Sequence, residues 1–151
     1  MSRDVFEGLH GLMAAAEHEM VTGILEATPG ELAELQAIKA RLDQALPALD
    51  NDSAVEITLL KDLLILLIMI QGWVIAGVVP VTDEQRAGVP QWRRRLIELI
   101  AESENVDVDR FREALSGKMV RMLGDFRRNP GPRGFMGMRS LIDVALEELR
   151  P

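Results

Sequence analysis

Residues 63–79 read LLILLIMIQGWVIAGVV, a run in which Gln71 is the one clearly polar side chain. As a helix, this run would be about 25 Å long, which is shorter than the roughly 30 Å hydrocarbon layer of a bilayer. Lys61 and Asp62 stand directly before it. A helix that is apolar on every side suits the centre of a helical bundle, where neighbouring helices surround it. We therefore expect a buried central helix over residues 54–79, and a membrane anchor over residues 63–79 is the alternative.

The rest of the chain supplies helices that could surround this segment. Apolar residues recur at three- and four-residue spacing in five further segments, and no alternating strand pattern of useful length occurs. The expected flanking helices span residues 5–25, 29–47, 90–102, 108–128 and 140–149, with Ile24 on the apolar face of the first. The sequence therefore predicts an all-α fold, a helical bundle of about six helices in a single domain over residues 1–151.

Several helix starts and stops are marked by their own residues. Thr28-Pro29-Gly30-Glu31 combines a capping box with proline at the first helical position. Ser53-Ala54-Val55-Glu56 is a second capping box and would open the central helix. Thr82 to Gln85 would cap a single turn that Gly88 and Pro90 break. The other expected N-caps are Asp107 and Ser140.

Composition excludes whole classes of protein and site. An apolar share of 48% and a charged share of 27% are ordinary globular values, so general disorder is excluded. The absence of cysteine excludes disulfide scaffolds, thiolate metal sites and cysteine nucleophiles. Two histidines are too few for a histidine-rich metal centre. No charged segment followed by a short apolar stretch opens the chain, so we expect a cytoplasmic protein.

Charge is distributed unevenly along the chain. An acidic half, residues 1–62, holds four basic side chains against twelve acids, a net charge of −8. A basic half covers residues 86–139, and within it residues 110–139 hold eight basic side chains against two acids, a net charge of +6. The overall charge of −7 therefore hides a basic segment near the C-terminal end of the chain.

The basic segment has a geometry that suits an anionic polymer. At about 100° per residue, Arg110, Arg121 and Arg128 fall within roughly 20° of one another, opposite the apolar face of the same helix. Arginine forks match phosphate oxygens, and the glycines of the loop expected over residues 129–139 leave backbone N–H groups accessible. Phe135 is the one candidate for stacking on a base, which favours sequence-independent contacts to the backbone. The predicted nucleic-acid-binding residues are Arg93, Arg94, Arg110, Lys118, Arg121, Arg127, Arg128, Arg133 and Arg139. A solvated helix face that balances the acidic half is the alternative.

Other chemistry-bearing patterns are weak. Glu7 and His10 have the spacing of carboxylate-bridged metal helices, but the second such motif is missing. Arg3 and His10 loosely resemble a motif of helical nucleases, the HEPN superfamily. No glycine-rich phosphate loop with its Lys-Ser/Thr occurs. We therefore expect a non-enzymatic protein with no cofactor and no metal.

A small helical chain with acidic and basic halves and no catalytic residues resembles the small subunits of CRISPR effector complexes. Size, helix content and the segment from Arg110, Arg121 and Arg128 to Arg139 carry the resemblance. It implies a ribonucleoprotein subunit with a role in antiviral defence, whose partners are nucleic acid (RNA or single-stranded DNA) and other protein subunits, with self-association as a further expectation. The alternatives are a helical protein–protein adaptor or inhibitor without nucleic acid, and the membrane protein anchored by residues 63–79.

Overall fold

The computed structural model describes the backbone of residues 2–48, 55–128 and 134–149, and the side chains of residues 4–47, 55–118 and 141–149. These residues form an all-α bundle, as predicted, and no strand occurs among them. The helices are α1 (Ser2–Val21), α2 (Pro29–Ala45, continued by a short 3-10 turn at Leu46–Ala48), α3 (Ile57–Ile75), α4 (Asp83–Ser103), α5 (Val108–Arg128) and α6 (Gly134–Leu149).

Helix α3 lies at the centre of the bundle, as the apolar run predicted. From Leu59 to Ile70 every residue except Lys61 is buried, and α1, α2, α4 and α6 all pack against this helix. Within the described residues, α3 is the one helix long and apolar enough to cross a membrane, and 61% of its most apolar window is buried by the rest of the protein. Burial on all sides of residues 59–70 is the property of a core helix.

Polar contacts fix the direction of the helices. Glu17 of α1 meets Lys39 of α2 (Oε1–Nζ 3.4 Å), while the earlier His10 meets the later Asp43, so α1 and α2 are antiparallel. Arg41 of α2 reaches Asp62 in the second turn of α3, which joins the two helices. Lys61 of α3 meets Glu104 at the end of α4 (3.5 Å), while the later Gln71 accepts from the earlier Arg93, so α3 and α4 are antiparallel.

The central helix is shorter than residues 54–79. Glu56 occupies the N-cap without a side-chain hydrogen bond, so the capping box expected at Ser53 does not open the helix; Ser53 itself lies outside the described residues. At the other end Gly77 adopts a φ of 78°, and the Val78 N–H donates to the Trp73 carbonyl (2.9 Å). This glycine cap stops the helix at Ile75.

The break expected at Gly88 and Pro90 is wrong, because α4 runs unbroken from Asp83 to Ser103. The capping box of Thr82 and Gln85 is present, but it opens this long helix instead of a single turn. Gly88 serves packing: an added Cβ would come within 2.7 Å of Trp92 Cε2, whose indole covers it. A side chain four residues later in a helix leans toward that position, which explains the contact.

Two further boundaries differ from the prediction. Helix α1 ends at Val21 because Gly23 adopts a φ of 82° and Thr22 Oγ1 donates to the Glu19 carbonyl, and Ile24 is consequently 66% exposed instead of buried. Helix α6 begins at Gly134 and not at Ser140, so residues 134–139 are helical and the expected loop over 129–139 is wrong for that part.

Candidate nucleic-acid interface

Helix α5 is amphipathic and is anchored by its first half. Phe111 and Leu115 are buried in the core, while Arg110, one position before Phe111, is exposed. Asp107 caps the helix as predicted, since its Oδ1 accepts the backbone N–H of Arg110 at 2.9 Å. The N-terminal half of α5 therefore has one fixed inner face and one open outer face.

The helical register places two further arginines on the side of α5 that bears Arg110. The helix is continuous from Val108 to Arg128. A regular helix of about 100° per residue brings the Cα positions of Arg110, Arg121 and Arg128 to within roughly 20° on one side. Of these three, Arg110 has a described side chain, and no ion pair links it to another described residue.

The remaining predicted residues of this segment fall outside the described side chains. Arg121, Arg127 and Arg128 lie on α5 and Arg139 lies on α6, whereas Arg133 lies outside the described residues altogether. The predicted contact of these five arginines with nucleic acid stays a prediction.

Lys118 is held by a partner within the protein. Its ammonium forms a salt bridge with Glu148 of α6, and the lysine side chain is 15% exposed. The charge of Lys118 is thus neutralised where α5 and α6 pack together. The described geometry of this predicted contact residue therefore serves the packing of the fold.

The three consecutive arginines of α4 separate in space, as their helical positions require. Arg93 Nη1 donates to Gln71 Oε1 of α3 at 2.7 Å, and Arg95 Nη1 pairs with Glu98 Oε2 at 3.1 Å. Arg94 is exposed and forms no ion pair with a described residue. Of the two predicted contact residues here, Arg94 is therefore open to a ligand, and Arg93 provides the polar partner of Gln71.

Arg112 lies on a different side of α5 from Arg110 and has a partner within the same helix. Its Nη1 lies 3.3 Å from Asp109 Oδ1, one turn earlier on α5. Both side chains are exposed, at 44% and 82%. This surface pair gives Arg112 a counter-charge, whereas Arg86, Arg93, Arg94 and Arg110 form no ion pair with a described residue.

The structure adds no support for the metal site or the nuclease motif that the sequence weakly suggested. His10 Nε2 faces Asp43 of α2, while Glu7 lines a groove between α1 and α4. No group of three metal-ligating side chains occurs among the described residues. Arg3 has no described side chain, so its relation to His10 lies outside the described residues.

One surface feature was not foreseen from the sequence. A groove of about 570 Å³ runs between α1 and α4, lined by the carboxylates of Asp4, Glu7 and Glu84 and by the indole of Trp92. The sequence feature that could have indicated this groove is the presence of Gly8 and Gly88 inside helices. A Cβ at either position would clash with the indole of Trp92. The protein thus has an acidic concave surface between α1 and α4, distinct from α5.

Comparison with known proteins adds no further assignment. The chain matches no protein-family model, no curated protein and no solved structure.

Proposed function

We propose that this chain is a non-enzymatic helical subunit of a nucleoprotein assembly, and that the outer face of α5 contacts the sugar–phosphate backbone of RNA or single-stranded DNA. The observation that carries the proposal is the continuous helix from Val108 to Arg128, whose inner face is anchored by Phe111 and Leu115. On a regular helix, the Cα positions of Arg121 and Arg128 lie on the same side of α5 as that of Arg110, which is exposed.

The charge pattern supports a phosphate ligand. Residues 110–139 carry a net charge of +6 within a chain of net charge −7. A localised positive surface attracts polyanions, while the acidic half repels them and so orients the contact. Arg110 has no ion pair to a described residue, so its guanidinium is open to a phosphate oxygen.

The experiment that tests this proposal measures oligonucleotide binding by variants of α5. It compares arginines on the proposed contact side with an arginine elsewhere on the helix. Arg121→Ala/Arg128→Ala should weaken binding of unrelated RNA and single-stranded DNA oligonucleotides alike, and should flatten the dependence of log K on log salt by about one unit for each phosphate that is no longer neutralised. Arg112→Ala, which removes a cation already paired with Asp109, is the control and should bind as the parent does. Equal affinity of the double variant and the parent would falsify the site.

A protein–protein adaptor is the second candidate, and the groove between α1 and α4 favours it. Three carboxylates beside an indole ring suit the basic side chains of a protein partner. An adaptor would show no salt-steep affinity for oligonucleotides, and its purified form would carry no absorbance excess at 260 nm. The same titration therefore separates the two functions.

A further inference from the structure

A second groove lies between the end of α3 and the first half of α4. It encloses about 400 Å³, and its lining includes Gln71, Val74, Ile75, Arg86, Val89 and Pro90. Because α3 and α4 are antiparallel and Gln71 meets Arg93, the last turn of α3 faces the turns of α4 that precede Arg93. We call this concave surface the α3–α4 groove. It shares no lining residue with the acidic groove between α1 and α4.

The wall of the α3–α4 groove is mainly apolar. Val89 is 4% exposed and belongs to the core, whereas Ile75, across the groove on α3, is 79% exposed. Val74 and Pro90 complete the apolar part of the lining. A ligand with an apolar body would therefore cover Ile75 and remove its side chain from water, which favours binding.

The polar side chains of the groove suit an anion and not a cation. Arg86 is exposed and forms no ion pair with a described residue, and none of the described residues that line the groove carries a carboxylate. The amide oxygen of Gln71 already accepts from Arg93 Nη1 at 2.7 Å. The open charged group of the groove is therefore a guanidinium, whose fork of N–H donors matches a carboxylate.

The dimensions of the groove suit a small molecule. A volume of about 400 Å³ lies within the roughly 300–1,000 Å³ of ligand pockets. The hydrogen bond between Gln71 and Arg93 joins α3 and α4 at one end, and Gly77 lines the groove beyond the end of α3. Arg86 precedes Arg93 by two helical turns, about 10 Å along α4. The apolar residues lie within this length, so the charged end and the apolar wall can be reached by one short ligand.

We propose that the α3–α4 groove binds a small carboxylic acid with an apolar tail. The carboxylate accepts hydrogen bonds from the guanidinium of Arg86. The tail lies on Val74, Ile75, Val89 and Pro90 and points toward the hydrogen bond between Gln71 and Arg93. This site is separate from the proposed contact between α5 and nucleic acid, so either proposal can fail without the other.

The first experiment titrates the full chain with octanoate and, separately, with octanol by isothermal calorimetry. The two ligands share an apolar tail of similar length and differ in charge. Octanoate should bind at one site and about tenfold more tightly than octanol, the lower end of what a hydrogen bond to a charged group contributes. The absence of saturable octanoate binding, or equal affinity for the two ligands, overturns the proposal. So does binding of a peptide with an apolar C-terminal residue in place of octanoate, because it would assign the groove to a protein chain end.

Two variants of α4 then locate the charged contact. Arg86→Gln should weaken octanoate binding about tenfold and leave octanol binding unchanged, because it removes the donor to the carboxylate. Arg94→Gln is the matched control, since Arg94 is also exposed, forms no ion pair with a described residue and does not line the groove. It should bind both ligands as the parent does. Equal losses of octanoate affinity in the two variants contradict the assignment to Arg86, and circular dichroism checks that both variants are folded.

A second measurement needs no variant. Gly23 and Gly77 both follow the end of a helix with a positive φ, 82° and 78°, but Gly77 alone of the two lines the α3–α4 groove. In a ¹⁵N–¹H correlation spectrum of the parent, octanoate should shift the Gly77 amide and leave the Gly23 amide in place. Equal shifts of both amides, or none at Gly77, show that octanoate does not bind in this groove.

Discussion

The indole of Trp92 lies on the backbone of Gly88, four residues earlier in α4, and also covers Gly8 of α1. A Cβ at Gly8 or Gly88 would come within 2.6 or 2.7 Å, respectively, of Trp92 Cε2. The two glycines therefore create the space in which a large aromatic ring joins α1 and α4. This contact explains why α4 has a glycine in its interior, where helix propensity disfavours it.

Gly88→Ala should destabilise the protein, although alanine favours a helix by about 1 kcal/mol over glycine. Over-packing against the indole outweighs that gain, and we expect a net loss of about 2 kcal/mol in the free energy of unfolding. Urea denaturation followed by circular dichroism measures it. Gly117→Ala on α5 is the control, because a Cβ there meets no atom within 4 Å, and it should be neutral or stabilising. A Gly88→Ala variant as stable as Gly117→Ala contradicts the packing argument.

A buried carboxylate in α3 is paired with a cation of α2. Asp62 is 7% exposed and its Oδ2 accepts from Arg41 Nη1 at 2.7 Å, while Arg41 Nη2 also donates to Thr58 Oγ1 at 3.2 Å. Arg41→Met should cost about 2 kcal/mol in thermal or urea unfolding, because it removes the counter-charge that this pair gives the buried carboxylate. The double variant Arg41→Met/Asp62→Leu should recover most of that loss. Arg112→Met, which breaks an exposed pair, should change stability by less than about 0.5 kcal/mol.

Prediction from the sequence succeeded where one physical cause acts alone. The run over residues 63–79 predicted the central helix because burial of apolar surface is the largest stabilising contribution in a small bundle. The capping box at Thr28 predicted the start of α2 because its hydrogen bonds are local.

Prediction from the sequence was wrong where local and tertiary effects compete. Gly88 and Pro90 break an isolated helix, yet packing of Trp92 on Gly88 and burial of Val89 keep α4 continuous. The candidate site shows the same limit. Periodicity placed Arg110 on an open face, but the pairing of Lys118 with Glu148, thirty residues later, depends on how α6 packs. No local pattern could reveal it.

Pro90 destabilises the interior of α4, so replacing it should stabilise the protein. It lies in the interior of the helix, is exposed, and has no N–H to donate to the carbonyl of Arg86. Pro90→Ala should restore that donor and raise the free energy of unfolding by about 1–3 kcal/mol. Pro29→Ala is the matched control, because Pro29 occupies the first turn of α2, where the missing N–H costs nothing, and it should give no gain. Equal effects of the two substitutions on the melting temperature would show that α4 tolerates Pro90 without strain.

The N-terminus of α3 lacks the side-chain cap that α2 and α4 both have. Thr28 and Thr82 accept backbone N–H groups through Oγ1 at 3.1 and 3.0 Å, whereas Glu56 caps nothing with its side chain. Thr82→Ala should therefore cost about 1 kcal/mol in unfolding free energy, and Glu56→Ala should cost close to nothing. Glu56→Ser should stabilise the protein by about 0.5–1 kcal/mol, because the serine hydroxyl can accept an N–H that Glu56 leaves without a side-chain acceptor. Urea denaturation of the three variants gives the ranking directly, and a loss of stability in Glu56→Ser would mean that Glu56 holds the start of α3 by contacts other than capping.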